Sequence, residues 1–299
     1  MLSVLKSGPF VSLQSWGEFG RMSEGVTRGG ATDEHAYGWG NHLLRNSFNV
    51  LALEITMGGF EGVFDIDTEI VVTGAEMGFK INGSPCRNWK VYQAMAGDRI
   101  ELGASAKGLR SYLSVSGGFD GEPGRSVVKG EKLSVRSEQA TSWESAVGRL
   151  TPFEFVPEYR SPVILKLLPS NTVKSDVGAR QAVSDGWKFE VSSKLSRMGC
   201  FLEGSTIRLP VQGILSEGVS RGTVQVLPSG QAVVLLNEHQ TIGGYPKIGC
   251  LTHRSCNRLA QCQPGDEVSF EFTTVAEAQR ERREFLRFFG VKQESLPSG

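Results

Sequence analysis

The sequence predicts a mainly β chain made of two related halves with few helices, and three observations carry that prediction. Short apolar or alternating runs recur between turn signals, one seven-residue segment occurs twice, and 299 residues suffice for two packed cores of the usual size of about 150 residues. The 37 glycines are well above the roughly 7% average usage, yet follow no triplet period, so they read as turn residues between strands.

Taken in order, the first-half runs are Leu2 to Leu5, Val50 to Ile55, Glu69 to Thr73, Arg99 to Leu102, Ser111 to Val115 and Lys132 to Val135. Their short length and spacing describe antiparallel sheet. Thr32 is suited to cap a helix near 32–46, with Asp33 and Glu34 in its first turn and Ala36, Gly40, Leu43 and Leu44 along one face. A proline-bearing stretch, Pro152 to Pro162, marks the boundary, giving 1–157, 158–275 and a C-terminal helix and tail over 276–299. Second-half runs follow at Val163 to Leu168, Thr206 to Leu209, Thr223 to Leu227, Ala232 to Leu236 and Glu267 to Phe272. The turns Gly97-Asp98, Gly130-Glu131 and Gly265-Asp266 pair a glycine suited to positive φ with an acid that can bond the turn backbone. A charged helix from about Val275 to Phe289 ends in Phe285, Leu286, Phe288 and Phe289, an apolar end for the body of the protein or for a partner protein.

Composition narrows the function. Lys plus Arg and Asp plus Glu are 32 each, so no basic field attracts nucleic acid or an anionic membrane. No apolar run reaches the ~20 residues that span a bilayer, and Met1-Leu2-Ser3-Val4-Leu5-Lys6 lacks a signal peptide's basic start, so the chain is expected in the cytoplasm. Five cysteines, an odd count, argue for reduced thiols rather than a disulfide framework.

Ser23-Glu24-Gly25-Val26-Thr27-Arg28-Gly29 reappears as Ser216-Glu217-Gly218-Val219-Ser220-Arg221-Gly222, identical at six of seven positions. So long a period suggests a duplicated domain rather than a solenoid, and the two segments are expected at equivalent places in the halves. Further motifs are Gly29-Gly30-Ala31 with Asp33, Ala52-Leu53-Glu54-Ile55-Thr56, Arg110-Ser111-Tyr112-Leu113 and Ser196-Arg197-Met198-Gly199. Gln225-Val226, Gly243-Gly244-Tyr245-Pro246, Leu259-Ala260-Gln261 and Pro264-Gly265-Asp266 complete the set.

Over roughly residues 1 to 275 these motifs resemble, in order, the family of 5-oxoprolinase C subunits, also known as KipA-like or biotin-dependent carboxyltransferase-like proteins and as the second subunit of allophanate hydrolase. The resemblance implies two cyclophilin-like β-barrel domains related by internal duplication, a KipI-like B subunit as partner and a third protein of the 5-oxoprolinase A-subunit type. Together they would open 5-oxo-L-proline to L-glutamate with ATP. It also admits two alternatives: a carboxyltransferase component acting on urea or a related amide, and a KipA-like antagonist that binds a KipI-like kinase regulator. The chain departs from the family pattern at Gln14-Ser15-Trp16-Gly17-Glu18, where an acid and a base are missing, and is shortened after Asp120. The functional surface is therefore expected in the second half.

Chemistry read from the residues agrees with one member of a complex rather than a self-sufficient catalyst. No Gly-x-x-x-x-Gly-Lys-Ser/Thr loop is present and Gly38-Trp39-Gly40 lacks a third glycine, so ATP used by the complex has no recognisable site on this chain. No lysine between methionines suggests a biotinyl acceptor, and Gly-x-Ser-x-Gly is absent. Cys250, His253 and Cys256 have zinc-ligand chemistry, but residues six apart on a helix lie about 240° apart, and no metal is expected.

Candidate substrate-binding residues are Arg197, Glu217, Gln225, Gly243, Gly244 and Tyr245. Arg197 suits a carboxylate or an internal ion pair, and Glu217 suits a substrate amide or a turn shared with its repeat partner Glu24. Gln225 both donates to and accepts from an amide. Gly243 and Gly244 would let backbone approach a ligand carbonyl, with the Tyr245 hydroxyl as a further donor or a packed ring, and His239 leads into this turn. Glu24, Gly29, Gly30 and Asp33 form a secondary group with structural alternatives.

Overall fold

The computed structural model describes residues 1–136, 144–175, 187–209 and 215–291. The tail expected at the end of 276–299 lies outside the described residues. The chain forms two compact units, one of Met1–Gly17 with Gly29–Tyr159, the other of Glu18–Arg28 with Arg160–Gly299. Nothing in the sequence signals that residues 18–28 leave the first unit. Two glycines make the departure possible: Gly17 has φ 104° and Gly30 φ 75°. At Gly30 a Cβ would stand 2.5 Å from the Trp16 carbonyl oxygen and the Gly17 nitrogen, so only glycine lets the two ends of the loop meet. Ala31 N–H donating to the Ser15 carbonyl at 2.8 Å closes that neck.

The first unit is built from β1 (Leu2–Lys6), β2 (Phe10–Gln14), β3 (Ala52–Thr56), β4 (Gly58–Phe64), β5 (Thr68–Glu76) and β6 (Lys80–Ile81). They are followed by β7 (Ser84–Pro85), β8 (Val91–Ala94), β9 (Arg99–Ala104), β10 (Lys107–Val115) and β11 (Lys132–Leu133). Two antiparallel sheets result, ordered β11-β1-β4-β9-β6-β7 and β2-β3-β10-β5-β8. Strand β4 alternates buried and half-buried residues, so Phe60 and Phe64 join Leu13, Leu53, Ile55 and Leu113 in one core.

Helix α1 (Glu34–Leu43) packs on the second sheet. It is shorter than expected at its C-terminal end, and its cap is Asp33 rather than Thr32: the Asp33 carboxylate accepts from the backbone of His35 and Ala36. Thr32 is drawn away by Glu54, to which both its N–H and its hydroxyl donate. Gly40 brings the helix close to β10, since a Cβ there would lie 2.5 Å from Ser114 Oγ.

In the second unit β12 (Val163–Pro169), β13 (Lys188–Leu195), β14 (Gly199–Gly204), β15 (Glu217–Gly218) and β16 (Thr223–Val226) precede β17 (Ala232–Leu235), β18 (Ile242–Gly243), β19 (Lys247–Leu251) and β20 (Glu267–Phe272). Seven of them close a barrel in the order β12-β19-β16-β17-β14-β13-β20. The expectation of purely antiparallel sheet fails at one seam, where β12 runs parallel to β20 and the barrel shuts. Residues 206–209 form no strand: Ile207 instead buries its side chain and takes one backbone bond from its N–H to Gly230. The inner face carries Val224, Val226, Ala232, Val234 and Leu236. Period-two alternation sends Val233 and Leu235 outward, where with Val219 they make a small second cluster beneath the ribbon β15–β18.

Helices α2 (Asn171–Ser175), α3 (His253–Leu259, capped by Thr252) and α4 (Val275–Phe288) complete the unit. Thr274 and Glu277 form a capping box on α4, and Leu286 is its buried residue while Phe288 stays exposed. Gly97, Gly130 and Gly265 all have φ near +90° as expected, and the Asp98 and Asp266 carboxylates accept from the backbone of Met95 and Gln263, whereas the Glu131 carboxylate accepts from Arg125. Among the described residues no helix is long and apolar enough to cross a membrane.

Candidate functional site

The second unit brings three of the sequence-predicted residues together on the outer face of its barrel. Gln225 and Thr223 alternate with the inward Val224 and Val226 on β16, so both project outward under the ribbon. Gln225 pairs in register with Lys247 of β19 on one side and Val233 of β17 on the other. Above it lies Gly243, the cross-strand partner of Glu217. A Cβ on Gly243 would stand 2.4 Å from Gln225 Nε2 and 3.1 Å from a Val219 methyl. Glycine at this position lets the ribbon lie closely on the amide without displacing it.

Gln225 is 2% exposed, and its hydrogen bonding is incomplete. Its Oε1 accepts a long bond, 3.5 Å, from Gln240 Nε2, while its own Nε2 has no partner among the described residues. An unsatisfied buried donor costs about 1–3 kcal/mol, and the apolar neighbours Val219 and Val233 offer no acceptor. A hydrogen-bond acceptor is the group that this position lacks.

At the rim of the ribbon, Lys247 Nζ meets Glu217 Oε1 at 2.8 Å, with the carboxylate side chain half exposed. Beside this pair a cavity of about 460 Å³ is lined by Met22, Gly218, Val219, Ser220, Lys247 and Cys250, among others. Burial pushes the Cys250 thiol up, only partly offset by bonds with Ser220 and Thr223. Cys250 is therefore protonated at neutral pH, when only the thiolate attacks, and serves here as a wall.

The remaining candidates are deployed differently. Arg197 sits on the β13–β14 hairpin, where its Nε donates to Glu238 at 2.6 Å, the internal ion pair that was one of its two readings. Tyr245 is 44% exposed. Neither Gly243 nor Gly244 has a positive φ, so neither makes a left-handed turn, and at Gly243 the use of glycine is close approach to Gln225.

The two copies do not occupy equivalent places in the two halves, because Ser23 to Arg28 belong to the second unit, as Ser216 to Gly222 do; the likeness is confined to the last two residues of each copy. Arg28-Gly29 and Arg221-Gly222 each place a buried arginine before a positive-φ glycine. Glu24, however, lies in a 3₁₀ turn paired to Arg21 at 3.0 Å, whereas Glu217 is in the ribbon paired to Lys247, so the two acids share no turn role. Gly30 and Asp33 are accounted for by the loop neck and the helix cap.

Three features of this region were passed over in the sequence: Lys247, Gln240 and the depth of His239. Lys247 follows Tyr245-Pro246 directly, and its place across from Gln225 depends on a bulge between Val224 and Gln225 that no sequence period reveals. His239 is 1% exposed and its Nδ1–H donates to the Gln240 carbonyl at 2.5 Å, leaving Nε2 as the lone-pair nitrogen. Burial first, then the Arg221 charge, lowers its pKa, so the imidazole is neutral at pH 7.

In the first unit the sequence also understates Glu54, Arg110 and Tyr112, charged and polar residues inside apolar strands. All three are fully buried. Glu54 accepts from Thr32 N–H at 2.9 Å, Thr32 Oγ1 at 3.1 Å and Tyr112 OH at 2.7 Å, with Arg110 Nε at 3.9 Å. Tyr112 OH in turn accepts from the Asp33 N–H. Burial, followed by the Glu54 and Asp33 charges, raises the Tyr112 pKa well above its ordinary value. These bonds tie the start of α1 to β3 and β10.

The chain is similar to known proteins over nearly its whole length. A model of the carboxyltransferase domain, subdomain A and B, matches residues 24–272. The chain is 30% identical to the C subunit of 5-oxoprolinase from Escherichia coli (strain K12), over 97% of this chain and 96% of that protein. It is 29% identical to the C subunit from Haemophilus influenzae, over 95% and 94% respectively. The crystal structure of the K. lactis urea amidolyase superposes on all of this chain and on 20% of its own, with a TM-score of 0.87 at 19% identity, a likeness of fold.

Proposed function

Because the chain belongs to the carboxyltransferase domain family of subdomains A and B, we propose that it works as the C subunit of a 5-oxoprolinase complex, with a KipI-like B subunit and a third protein of the A-subunit type. The complex adds water across the lactam C–N bond of 5-oxo-L-proline to give L-glutamate, driven by ATP held on another chain. The observation that carries this reading is the 30% identity to the E. coli protein over nearly the full length of both chains. The second-unit geometry supports it, because a buried amide N–H without an acceptor suits a planar N–C=O group. A donor aimed at a carbonyl oxygen polarises it toward attack.

The test is reconstitution. The purified chain is expected to show no ATP-dependent turnover of 5-oxo-L-proline, and mixing with the two partner proteins to produce it. Robust turnover by the chain alone, or none by the three-component mixture, overturns the reading. Carboxyl transfer to urea or a related amide is the second reading, favoured by the K. lactis urea amidolyase fold match. It would show instead as urea-dependent consumption of carboxybiotin by the assembled chain.

A further inference from the structure

The ribbon β15–β18 is a thin cover over an unsatisfied donor. It comprises two residue pairs, Glu217 with Gly243 and Gly218 with Ile242. Glu217 is exposed and so is Ile242, at 61%. On its barrel side it seals Gln225 Nε2, and at its rim the Glu217–Lys247 pair fastens it to β19. A half-exposed ion pair contributes little, about 0–1 kcal/mol, so it opens readily to a competing anion. The 460 Å³ cavity reaches the ribbon on the Lys247 side, through Gly218 and Val219.

Resting on the lactam reading above, we propose that this ribbon is a latch opened by its own ligand, a small amide or lactam that also carries a carboxylate. The carboxylate takes Glu217's place on Lys247, and the ribbon lifts from Gln225. The ligand's carbonyl then accepts the N–H from Gln225 Nε2. Gln225 and Lys247 are cross-strand partners on β16 and β19, which puts both side chains within reach of one small ligand. A neutral amide has no group for Lys247 and leaves the latch shut, so the pair sets specificity between charged lactams and neutral amides such as urea.

The experiment is equilibrium binding to the full chain of two probes that differ only in the carboxylate, 5-oxo-L-proline and 2-pyrrolidinone. Wild type is expected to bind the acid at least tenfold more tightly. Lys247→Met should abolish that preference and, because it also removes the pair that fastens the ribbon, bind the neutral probe more tightly than wild type does, while Glu217→Gln, with the latch weakened, should bind both probes more tightly. Melting curves verify that each variant is folded; both substitutions lie at a solvent-facing pair. Equal affinity of wild type for the two probes, binding of neither, or an undiminished acid preference in Lys247→Met overturns the proposal. Its failure is separable from that of the 5-oxoprolinase reading: the three-component mixture can turn over 5-oxo-L-proline with unchanged kcat/KM in both variants, which rejects the latch alone.

Discussion

Two buried polar side chains, one in each unit, are satisfied to different degrees. In the first, Glu54 sits in a strand with every neighbour saturating it: two donors from Thr32, one from Tyr112, and the Arg110 guanidinium alongside. In the second, Gln225 is as deeply buried, yet half of its amide faces Gly243 with nothing to bind. A carboxylate that accepts from three donors fixes structure, since it holds the residues that donate to it. An unsatisfied donor under a thin cover costs stability that packing alone would not require, and such costs collect at functional sites.

The largest effect should come from breaking the saturated side. Glu54→Leu takes the carboxylate from beside the buried Arg110 charge and strands the Thr32 and Tyr112 donors, at a cost of about 3–5 kcal/mol in denaturant unfolding. A loss below about 1 kcal/mol, the worth of an exposed pair, would mean that the network is no anchor. Gly243→Ala comes next. Its Cβ would collide with Gln225 Nε2, costing about 1–3 kcal/mol, and the double variant with Gln225→Ala should recover most of that loss. Simple additivity in that cycle would show that ribbon and amide are not in contact.

The smallest effect concerns pH. His239, with its pKa held below the ordinary 6.5, favours the folded state in its neutral form. That contribution is complete above the unfolded value and is lost as pH falls through 6.5 toward the folded one. The melting temperature should therefore drop as the pH is taken from about 7.5 to about 5.5, and less so in His239→Gln. His42 of the first unit, lowered by burial and Arg149, makes the same kind of contribution and remains as the residual slope in that variant. An unchanged slope in His239→Gln would contradict a neutral His239.

What the sequence disclosed follows from which forces are local. Strand runs such as Glu267–Phe272, the glycine–acid turns and the helix start near Val275 depend on neighbours in the chain, and each is legible there. Asp33 displaced Thr32 as a cap because Glu54, distant in sequence, claimed the threonine, a competition invisible to local pattern. The departure of residues 18–28 was hidden for the same reason, being fixed by a close contact between Gly17 and Gly30. Within the site, residue chemistry pointed to Glu217, Gln225 and Gly243, but Lys247 joined them only through barrel register, and Arg197 was diverted to Glu238.

One comparison of variants bears most directly on the claim that Gln225 is kept for a ligand rather than for the fold. Gln225→Leu fits the apolar surroundings of Val219 and Val233 and removes the orphaned donor, so the melting temperature should hold or rise. Assembled with its partner proteins, the same variant should lose at least tenfold in kcat/KM for 5-oxo-L-proline. Stability gained with activity lost is the expected result; wild-type kcat/KM in the assembled Gln225→Leu complex would contradict it and return the outer face of the barrel to a purely structural role.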